Sequence, residues 1–236
     1  MNPSSAWWVQ AQPAKNNKGK KMKRTLIISI TTLVLCLHIS AETTIKQLPA
    51  PTKKGGMPLM EALSKRQSTR DYDDSKSISD QTLSDLLWAG FGINRPDTGK
   101  RTAPSSYNAQ DIMIYVFQAN GTWLYNAPNN TLEQVSSKDL RDLSGKQDFV
   151  KTAPLSIVLV SDYEKFRKDN GDDKEYWKRG GSVDAGLIAQ NINLYCASQN
   201  LGVVVRASIK YKELAKELNF DENKMIIIAQ TIGYKK

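Results

Sequence analysis

The stretch Pro154-Leu155-Ser156-Ile157-Val158-Leu159-Val160 is an almost uninterrupted apolar run that begins at a proline. Short runs of this kind, rich in β-branched residues and bounded by a turn former, are typical of buried strands. The segment therefore predicts a buried strand, and the neighbouring elements can be assigned outward from it.

On its N-terminal side, Ile112 to Phe117 is rich in strand-forming residues and leads to Asn120-Gly121, after which Thr122 to Tyr125 resumes the same pattern. Asn-Gly between two such runs is a strong hairpin signal, so these segments predict an antiparallel pair. On its C-terminal side, Val183 to Ser198 carries apolar residues at helical spacing and predicts a long helix that Gly202 ends.

The other predicted elements are shorter. They are a helix from Leu59 to Leu63 with Pro58 in its first turn, a helix after the N-cap Ser79, a strand at Val203 to Val205, a helix from Tyr211 to Leu218 and a strand from Met225 to Ile232. Residues 42–58 are rich in proline and glycine and are predicted to form an extended arm. Residues 59–236 are predicted to form one mixed α+β domain without internal repeats.

The segment from Met22 to Ala41 has the layout of a secretory signal peptide. A basic start, Met22-Lys23-Arg24, precedes a short apolar run from Thr25 to Leu37. That run is shorter than the ~20 apolar residues of a membrane-spanning helix. We expect cleavage after Ala41, export to the periplasm or the medium, and no stable membrane span afterwards. A lipoprotein anchored at Cys36 is the less favoured alternative, because a bulky residue precedes that cysteine.

Residues 1–21 contain Trp7, Trp8 and a cluster of lysines. They would place the apolar run too far from the start for an ordinary signal peptide. We therefore expect translation to begin at Met22, which makes residues 1–21 a dispensable extension. The alternative is a basic arm that binds a membrane surface or nucleic acid.

Signal cleavage would change the charge of the chain. The 236 residues carry a formal net charge of +9, and the first 41 hold six basic residues and no acid, so the mature charge is +3. A net charge this small does not indicate a basic surface that binds DNA or RNA. The 195 residues that remain of the 236 are enough for one well-buried domain.

The rare residues exclude several kinds of chemistry. The only histidine, His38, would leave with the signal peptide, and so would Cys36, which leaves Cys196 as the sole thiol. A mature chain without histidine has no Ser-His-Asp triad and no histidine-ligated metal. We expect Cys196, on a helix among apolar residues, to be buried and inert. An enzyme of this composition must use carboxylates, lysines or a bound cofactor.

The first informative cluster is Arg66-Gln67-Ser68-Thr69-Arg70. In an extended segment, Arg66, Ser68 and Arg70 share one side and offer two guanidinium groups and a hydroxyl to a phosphate. The alternative is a solvated basic turn that pairs with the aspartates from Asp71 to Asp74.

The second cluster, Arg101-Thr102-Ala103-Pro104-Ser105-Ser106-Tyr107-Asn108-Ala109-Gln110, lies just before the first strand of the hairpin. Its backbone, hydroxyl and amide groups suit the polar edge of a ring. The alternative is a loop whose residues only satisfy turn chemistry.

Taken together and in this order, the two clusters resemble the nitroreductase-like FMN-dependent oxidoreductases. That family carries a basic-x-Ser-x-basic run, then a helix, then a Pro-Ser-Ser-x-Asn-x-Gln segment. The resemblance extends from Leu59 to Lys236, and its nearest branch is the one with the thiazole- and oxazole-forming dehydrogenases. It implies a homodimer in which a central, mostly antiparallel sheet is flanked by helices.

The resemblance also implies an FMN site at the dimer interface. One subunit would bind the phosphate, the ribityl chain and the pyrimidine edge, and its partner would supply the second cluster. A backbone N–H at the end of an inner strand would face flavin N5, although alanine stands here where glycine is usual, and a terminal lysine is a further phosphate candidate. The implied contacts are Arg66, Gln67, Ser68 and Arg70 from one chain, Pro104, Ser105, Ser106 and Asn108 from the other, and Arg206, Ala207 and Lys236.

The implied activity is a ping-pong transfer of electrons through FMN, from a reduced donor such as NAD(P)H to a small organic acceptor. The flavin supplies the hydride chemistry, and no catalytic side chain or metal is predicted. The alternative is an exported protein that binds a flavin or another phosphorylated ligand without turnover.

Overall fold

The computed structural model of the protein describes residues 43–236. Seven strands along this part of the chain form one antiparallel sheet in the order β1-β6-β5-β4-β7-β9-β8, and β2 and β3 form a separate ribbon. The strands are β1 (Ile45–Gln47), β2 (Ile93–Arg95), β3 (Lys100–Arg101), β4 (Ile112–Gln118), β5 (Gly121–Asn126), β6 (Thr131–Ser136), β7 (Leu155–Asp162), β8 (Leu201–Arg206) and β9 (Lys224–Tyr234).

Helices cover both faces of this sheet. They are α1 (Leu59–Lys65), α2 (Asp80–Phe91), α3 (Phe149–Thr152), α4 (Tyr163–Asn170), α5 (Lys174–Ser198) and α6 (Tyr211–Glu217). The predicted α+β fold, with a large antiparallel sheet flanked by helices, is therefore confirmed.

The predicted buried strand, β7, lies near the middle of the sheet. It pairs with β4 on one side and β9 on the other, and all eight of its residues are buried. One face of the sheet packs against α2 and α5 in the larger apolar core, and the other packs in a second core with α6. A strand with a core on each face has apolar side chains on both, which explains its continuous apolar sequence.

The hairpin also forms as predicted, with β4 and β5 joined across Asn120-Gly121 and Gln118 opposite Gly121. The predicted arm is partly ordered as well. Ile45–Gln47 pairs with β6 as an edge strand of the sheet, with Ile45 opposite Glu133.

The long helix α5 begins nine residues before the predicted start at Val183. Asp173 caps it by accepting a hydrogen bond from the Tyr176 N–H at 2.9 Å. Gly180 and Gly181 lie inside the helix, where glycine is ordinarily unfavourable. A Cβ on Gly181 would lie 2.6 Å from the Ser161 hydroxyl, so Gly181 allows β7 to approach the helix closely, while Gly180 leaves room for Phe166 of α4.

The helix α5 ends at Ser198, as predicted, but the residue that terminates it is not Gly202. The left-handed residue after the helix is Asn200, with φ of 55°. Gly202 lies within β8, and a Cβ there would come within 2.8 Å of Thr69. This glycine therefore allows the segment around Thr69 to pack directly on the strand.

Within residues 43–236, no helix combines the length and the apolar character needed to cross a membrane. Cys196 is buried, and burial raises the pKa of its thiol well above the ordinary value. The predicted signal peptide lies outside the described residues.

Candidate functional site

The first predicted cluster runs along the outer edge of β8. Arg66 caps the C-terminus of α1, where its N–H donates to the Ala62 carbonyl. The chain then becomes extended, Ser68 forms a parallel bridge with Val203, and the Thr69 N–H donates to the Val203 carbonyl at 2.9 Å. The predicted contacts of this cluster are all exposed, namely Arg66, Gln67, Ser68 and Arg70.

Arg66 lines a cavity of about 530 Å³ at this edge, together with Lys65, Asn200 and Lys235. The Lys235 ammonium donates to the Asn200 side chain at 3.3 Å. Lys236, the lysine predicted for the phosphate, is not among the lining residues and instead pairs with Asp71 at 3.5 Å. Lys235 was not predicted to line this cavity. The chain ends with two lysines, and only the pairing of Lys235 with Tyr72 in the folded chain indicates which of them faces the cavity.

The end of β8 carries the predicted Arg206-Ala207 stretch. Ala207 is exposed beyond the last strand residue. The Arg206 side chain is buried, donating to the Thr231 hydroxyl at 2.6 Å and to the Ser144 carbonyl at 2.8 Å. Burial lowers the pKa of Arg206 to about 10. Its guanidinium therefore fastens β8 to β9, and the ligand-accessible part of the stretch is the backbone and Ala207.

The second predicted cluster forms a loop against the N-terminal half of α5. Asp184 of that helix accepts the Ser106 N–H on both carboxylate oxygens, at 2.9 and 3.0 Å, and the Ser106 hydroxyl at 3.2 Å. The Ser105 hydroxyl accepts the Gln110 N–H at 2.9 Å. Pro104 and Asn108 are exposed. Ser105 and Ser106 thus stabilise the loop, whereas Pro104 and Asn108 face solvent.

The two predicted clusters do not meet within one chain. The loop contacts α5 at Asp184, whereas the cavity that contains Arg66 is bordered by Ala197 of the same helix. These positions are thirteen residues apart, which corresponds to about 20 Å along an α-helix.

A pair of buried carboxyl groups lies beneath the loop and was not predicted. Asp184 is 1% exposed and Asp111 is fully buried. Ser161 donates its hydroxyl to Asp111 and accepts the Trp177 indole N–H at 2.6 Å. Burial is the largest cause that raises the pKa of Asp111 to about 6; the Ser161 hydrogen bond opposes it, and neighbouring Asp184 adds to it. Asp184 therefore supports the loop, while Asp111 retains a proton to unusually high pH.

The described residues contain no cluster of three or more histidine, cysteine or acidic side chains that could hold a metal ion. The fold and the site define the class, an α+β protein with a basic cavity at the edge of its sheet. Comparison with known sequences assigns the family. The sequence model of the nitroreductase family matches residues 63–234, so the chain belongs to that family.

Three relatives illustrate the match. A proposed nitroreductase of Ralstonia eutropha JMP134 is 38% identical, with a TM-score of 0.75 over 81% of this chain and 90% of the other. A proposed nitroreductase of Methanocaldococcus jannaschii is 25% identical, over 72% of this chain and 88% of the other. The NADPH:FMN oxidoreductase of Vibrio harveyi, solved with NAD+, is 21% identical with a TM-score of 0.56, over 75% and 69% of the chains, and shares the fold.

The protonation of Asp111 predicts a pH-dependent stability. From about pH 4 to pH 6 the folded chain keeps a proton that the unfolded chain releases, so this residue makes the fold less stable as the pH rises. The side chain of Asp111→Asn does not titrate, so the variant lacks this loss of stability. Relative to the parent, its free energy of unfolding should therefore rise by roughly 2 to 3 kcal/mol between pH 4 and pH 7.5. Urea denaturation at both pH values measures the change.

Asp148→Asn is the matched control, because the Asp148 side chain is 99% exposed. Its difference from the parent should vary little with pH. A difference for Asp111→Asn that stays constant from pH 4 to pH 7.5 would show that Asp111 is ionised throughout.

Proposed function

We propose that the protein is an FMN-dependent oxidoreductase. A reduced donor, for which NAD(P)H is the candidate, would deliver electrons to the flavin and leave before a small organic acceptor takes them. The observation that carries the proposal is the basic cavity formed by Arg66 and Lys235 at the same sheet edge as Ala207. Membership of the nitroreductase family supports it.

The edge of β8 fits FMN from the phosphate to the ring. Arg66 and Lys235 would hold the phosphate, since guanidinium and ammonium groups form strong charge-assisted hydrogen bonds to phosphate oxygens. Ser68 and Arg70 are exposed farther along the same segment, within reach of the ribityl chain and the pyrimidine edge. Ala207 lies four residues beyond Val203, about 13 Å along a strand. An elongated cofactor therefore matches the spacing of these groups.

The separation of the two clusters supports a homodimer. Exposed apolar side chains lie on α1 and on the α5 surface between the clusters: Leu59, Met60 and Leu63, with Val183 and Leu187. Apolar patches of this kind commonly mark interfaces. Burying them between two copies would bring the Pro104 to Asn108 loop of one chain to the Arg66 edge of the other.

The chain's own residues would bind and orient the cofactor and shape an open pocket. When bound, FMN supplies hydride transfer, and the protein tunes it by hydrogen bonds and position. The Vibrio harveyi relative is named an NADPH:FMN oxidoreductase, which supports a nicotinamide donor here.

The proposal includes export of the mature chain. Its support is the sequence pattern from Met22 to Ala41, which lies outside the described residues. An exported enzyme must obtain both FMN and electrons outside the cytoplasm, so its donor there could differ from NAD(P)H.

Redox cycling tests the proposed function. The purified mature protein should be yellow, its flavin absorbance should bleach anaerobically with NADPH or dithionite, and it should recover on addition of a nitroaromatic or quinone acceptor. The intact mass of the same preparation reports cleavage after Ala41. Bound flavin that never exchanges electrons would instead identify a binding protein without turnover.

Replacing Arg66 should weaken phosphate recognition selectively. Arg66→Ala should lower FMN affinity about ten- to a hundredfold, because a charge-assisted bond contributes roughly 1.5 to 3 kcal/mol. Arg66→Lys should restore only part of it, since lysine lacks the two-pronged geometry. Fluorescence titration of stripped protein with FMN and riboflavin measures both effects. Equal weakening for the two ligands would contradict a phosphate contact.

Arg167→Ala is the matched control for this series. Arg167 is an exposed arginine of α4 that pairs with Glu164 at 2.7 Å and does not line the cavity. Its loss should leave FMN affinity unchanged.

Complementation tests the two-chain site. Ser106→Glu places a second carboxylate beside Asp184 and should displace the loop, while Arg66→Ala damages the phosphate cavity. Neither homodimer should bind FMN tightly, yet a mixture should regain tight sites, up to one per heterodimer. The arrangement would be refuted if heterodimers form but do not bind FMN tightly. A monomer that is fully occupied by FMN in sedimentation would also refute it. Asn108→Leu is a second loop variant at an exposed position, should Ser106→Glu not fold.

A further inference from the structure

The sheet opens between β4 and β5 at the end away from their turn. Their ladder runs from Gln118 opposite Gly121 to Tyr115 opposite Leu124 and stops there. Beyond that point, β4 stays paired with β7 back to Ile112, and β5 stays paired with β6 as far as Asn126. Three residues of β4 and two of β5 therefore diverge from each other, although each strand keeps its other neighbour.

A cavity of about 260 Å³ occupies this opening. Small-molecule pockets typically measure about 300 to 1,000 Å³, so it suits a ligand near the lower limit of size. Much of the wall is aliphatic or aromatic, which favours an apolar body. The apolar side chains include Phe91, Ile112, Ile114, Leu124 and Tyr125.

Arg101 contributes a positive charge to one side of the cavity. Its guanidinium donates to the Phe91 carbonyl at 2.9 Å and to the Gln110 side chain at 2.6 Å, and it lies 4.4 Å from the centre of the Phe91 ring. Among the side chains that the structure describes, no carboxylate forms an ion pair with it. Burial lowers the pKa of Arg101, and Tyr125 opposes this change.

Lys165 contributes a second positive charge from α4. Lys165 is exposed overall, and partial desolvation of its ammonium is the main cause that lowers its pKa; Asp162 and Asp111 oppose the change, and Arg101 and Lys224 add to it. The one acidic side chain in the wall, Glu133, accepts the Asn126 amide at 2.7 Å. Two cations and one carboxylate leave the wall with a formal charge of +1.

We propose that the opening between β4 and β5 binds a small aromatic carboxylate. The single negative charge matches the net charge of the wall, with the carboxylate between Arg101 and Lys165 and the ring among Phe91, Ile114 and Tyr125. A bound carboxylate supplies a direct ion-pair partner, which neither Arg101 nor Lys165 has among the described side chains. Glu133 disfavours ligands of higher negative charge, such as phosphate esters.

This site is separate from the proposed flavin edge but joined to the loop. Arg101 holds the Gln110 side chain, and the Gln110 N–H donates to the Ser105 hydroxyl. A ligand bound beside Arg101 is thus linked through Gln110 and Ser105 to the loop that is proposed to face the partner's flavin. Binding itself does not depend on the proposed function.

Benzoate is the probe, and isothermal titration of FMN-saturated protein measures its binding. Benzamide keeps the ring and removes the charge, whereas acetate keeps the charge and removes the ring. Benzoate should bind at least ten times more tightly than either. Benzamide or acetate binding as tightly as benzoate, or no benzoate binding at millimolar concentration, would overturn the proposal.

Variants of α4 locate the site without disturbing the core. Lys165→Gln should weaken benzoate at least fivefold and Lys165→Glu should abolish binding, while Lys168→Gln, exposed on the same helix and absent from the wall, should have no effect. Equal effects of Lys165→Gln and Lys168→Gln would refute the site.

Arg66→Ala separates this site from the flavin edge. Benzoate should bind this variant as it binds the parent, whether or not FMN does, and it should leave FMN bound. Loss of benzoate binding in Arg66→Ala, or displacement of FMN by benzoate, would place the ligand at the flavin edge and refute the proposal.

Discussion

The packing of α5 on the sheet is the constraint on which the rest of the structure depends. Its inward residues recur at helical spacing and are fully or almost fully buried, and each large one contributes about 1.5 to 3 kcal/mol. They are Ala185, Ile188, Ala189, Ile192 and Cys196. This fixed helix also sets the distance between the two clusters, since the loop rests on Asp184 and the basic cavity ends at Ala197. One packing arrangement therefore gives a stable core and holds the two clusters apart within one chain.

Local chemistry was sufficient to predict those parts of the fold that depend on neighbouring residues. The hairpin at Asn120-Gly121 is an example, because its turn and the alternation of its strands act over a few residues. The start of α5 could not be predicted in this way, since Gly180 and Gly181 disfavour a helix locally. Their compensation is close contact with Phe166 and Ser161, which are near only in the folded chain.

The candidate site shows the same division. Each of the two sequence clusters lies within one continuous segment of the chain, which is why short motifs could point to them. Lys235 and Asp184 could not be assigned, because a lysine at a strand end and an aspartate within a helix carry no local sign of their partners. Arg206 is the opposite case. The sequence pointed to it as a ligand contact, but its side chain turns inward and donates to Thr231 and Ser144. Motifs therefore identify the segments, and tertiary contacts decide which side chains serve the ligand.

Both proposed ligand surfaces lie where strand pairing ends. The Arg66 segment covers the free edge of β8, and the second cavity lies where β4 and β5 diverge. Backbone groups that leave a ladder need other partners, and an open edge otherwise invites association with other chains. This protein places arginine and lysine beside each of these openings, which disfavours aggregation and provides positive charge for anions. The same feature that protects an interrupted sheet therefore equips it to bind acidic ligands.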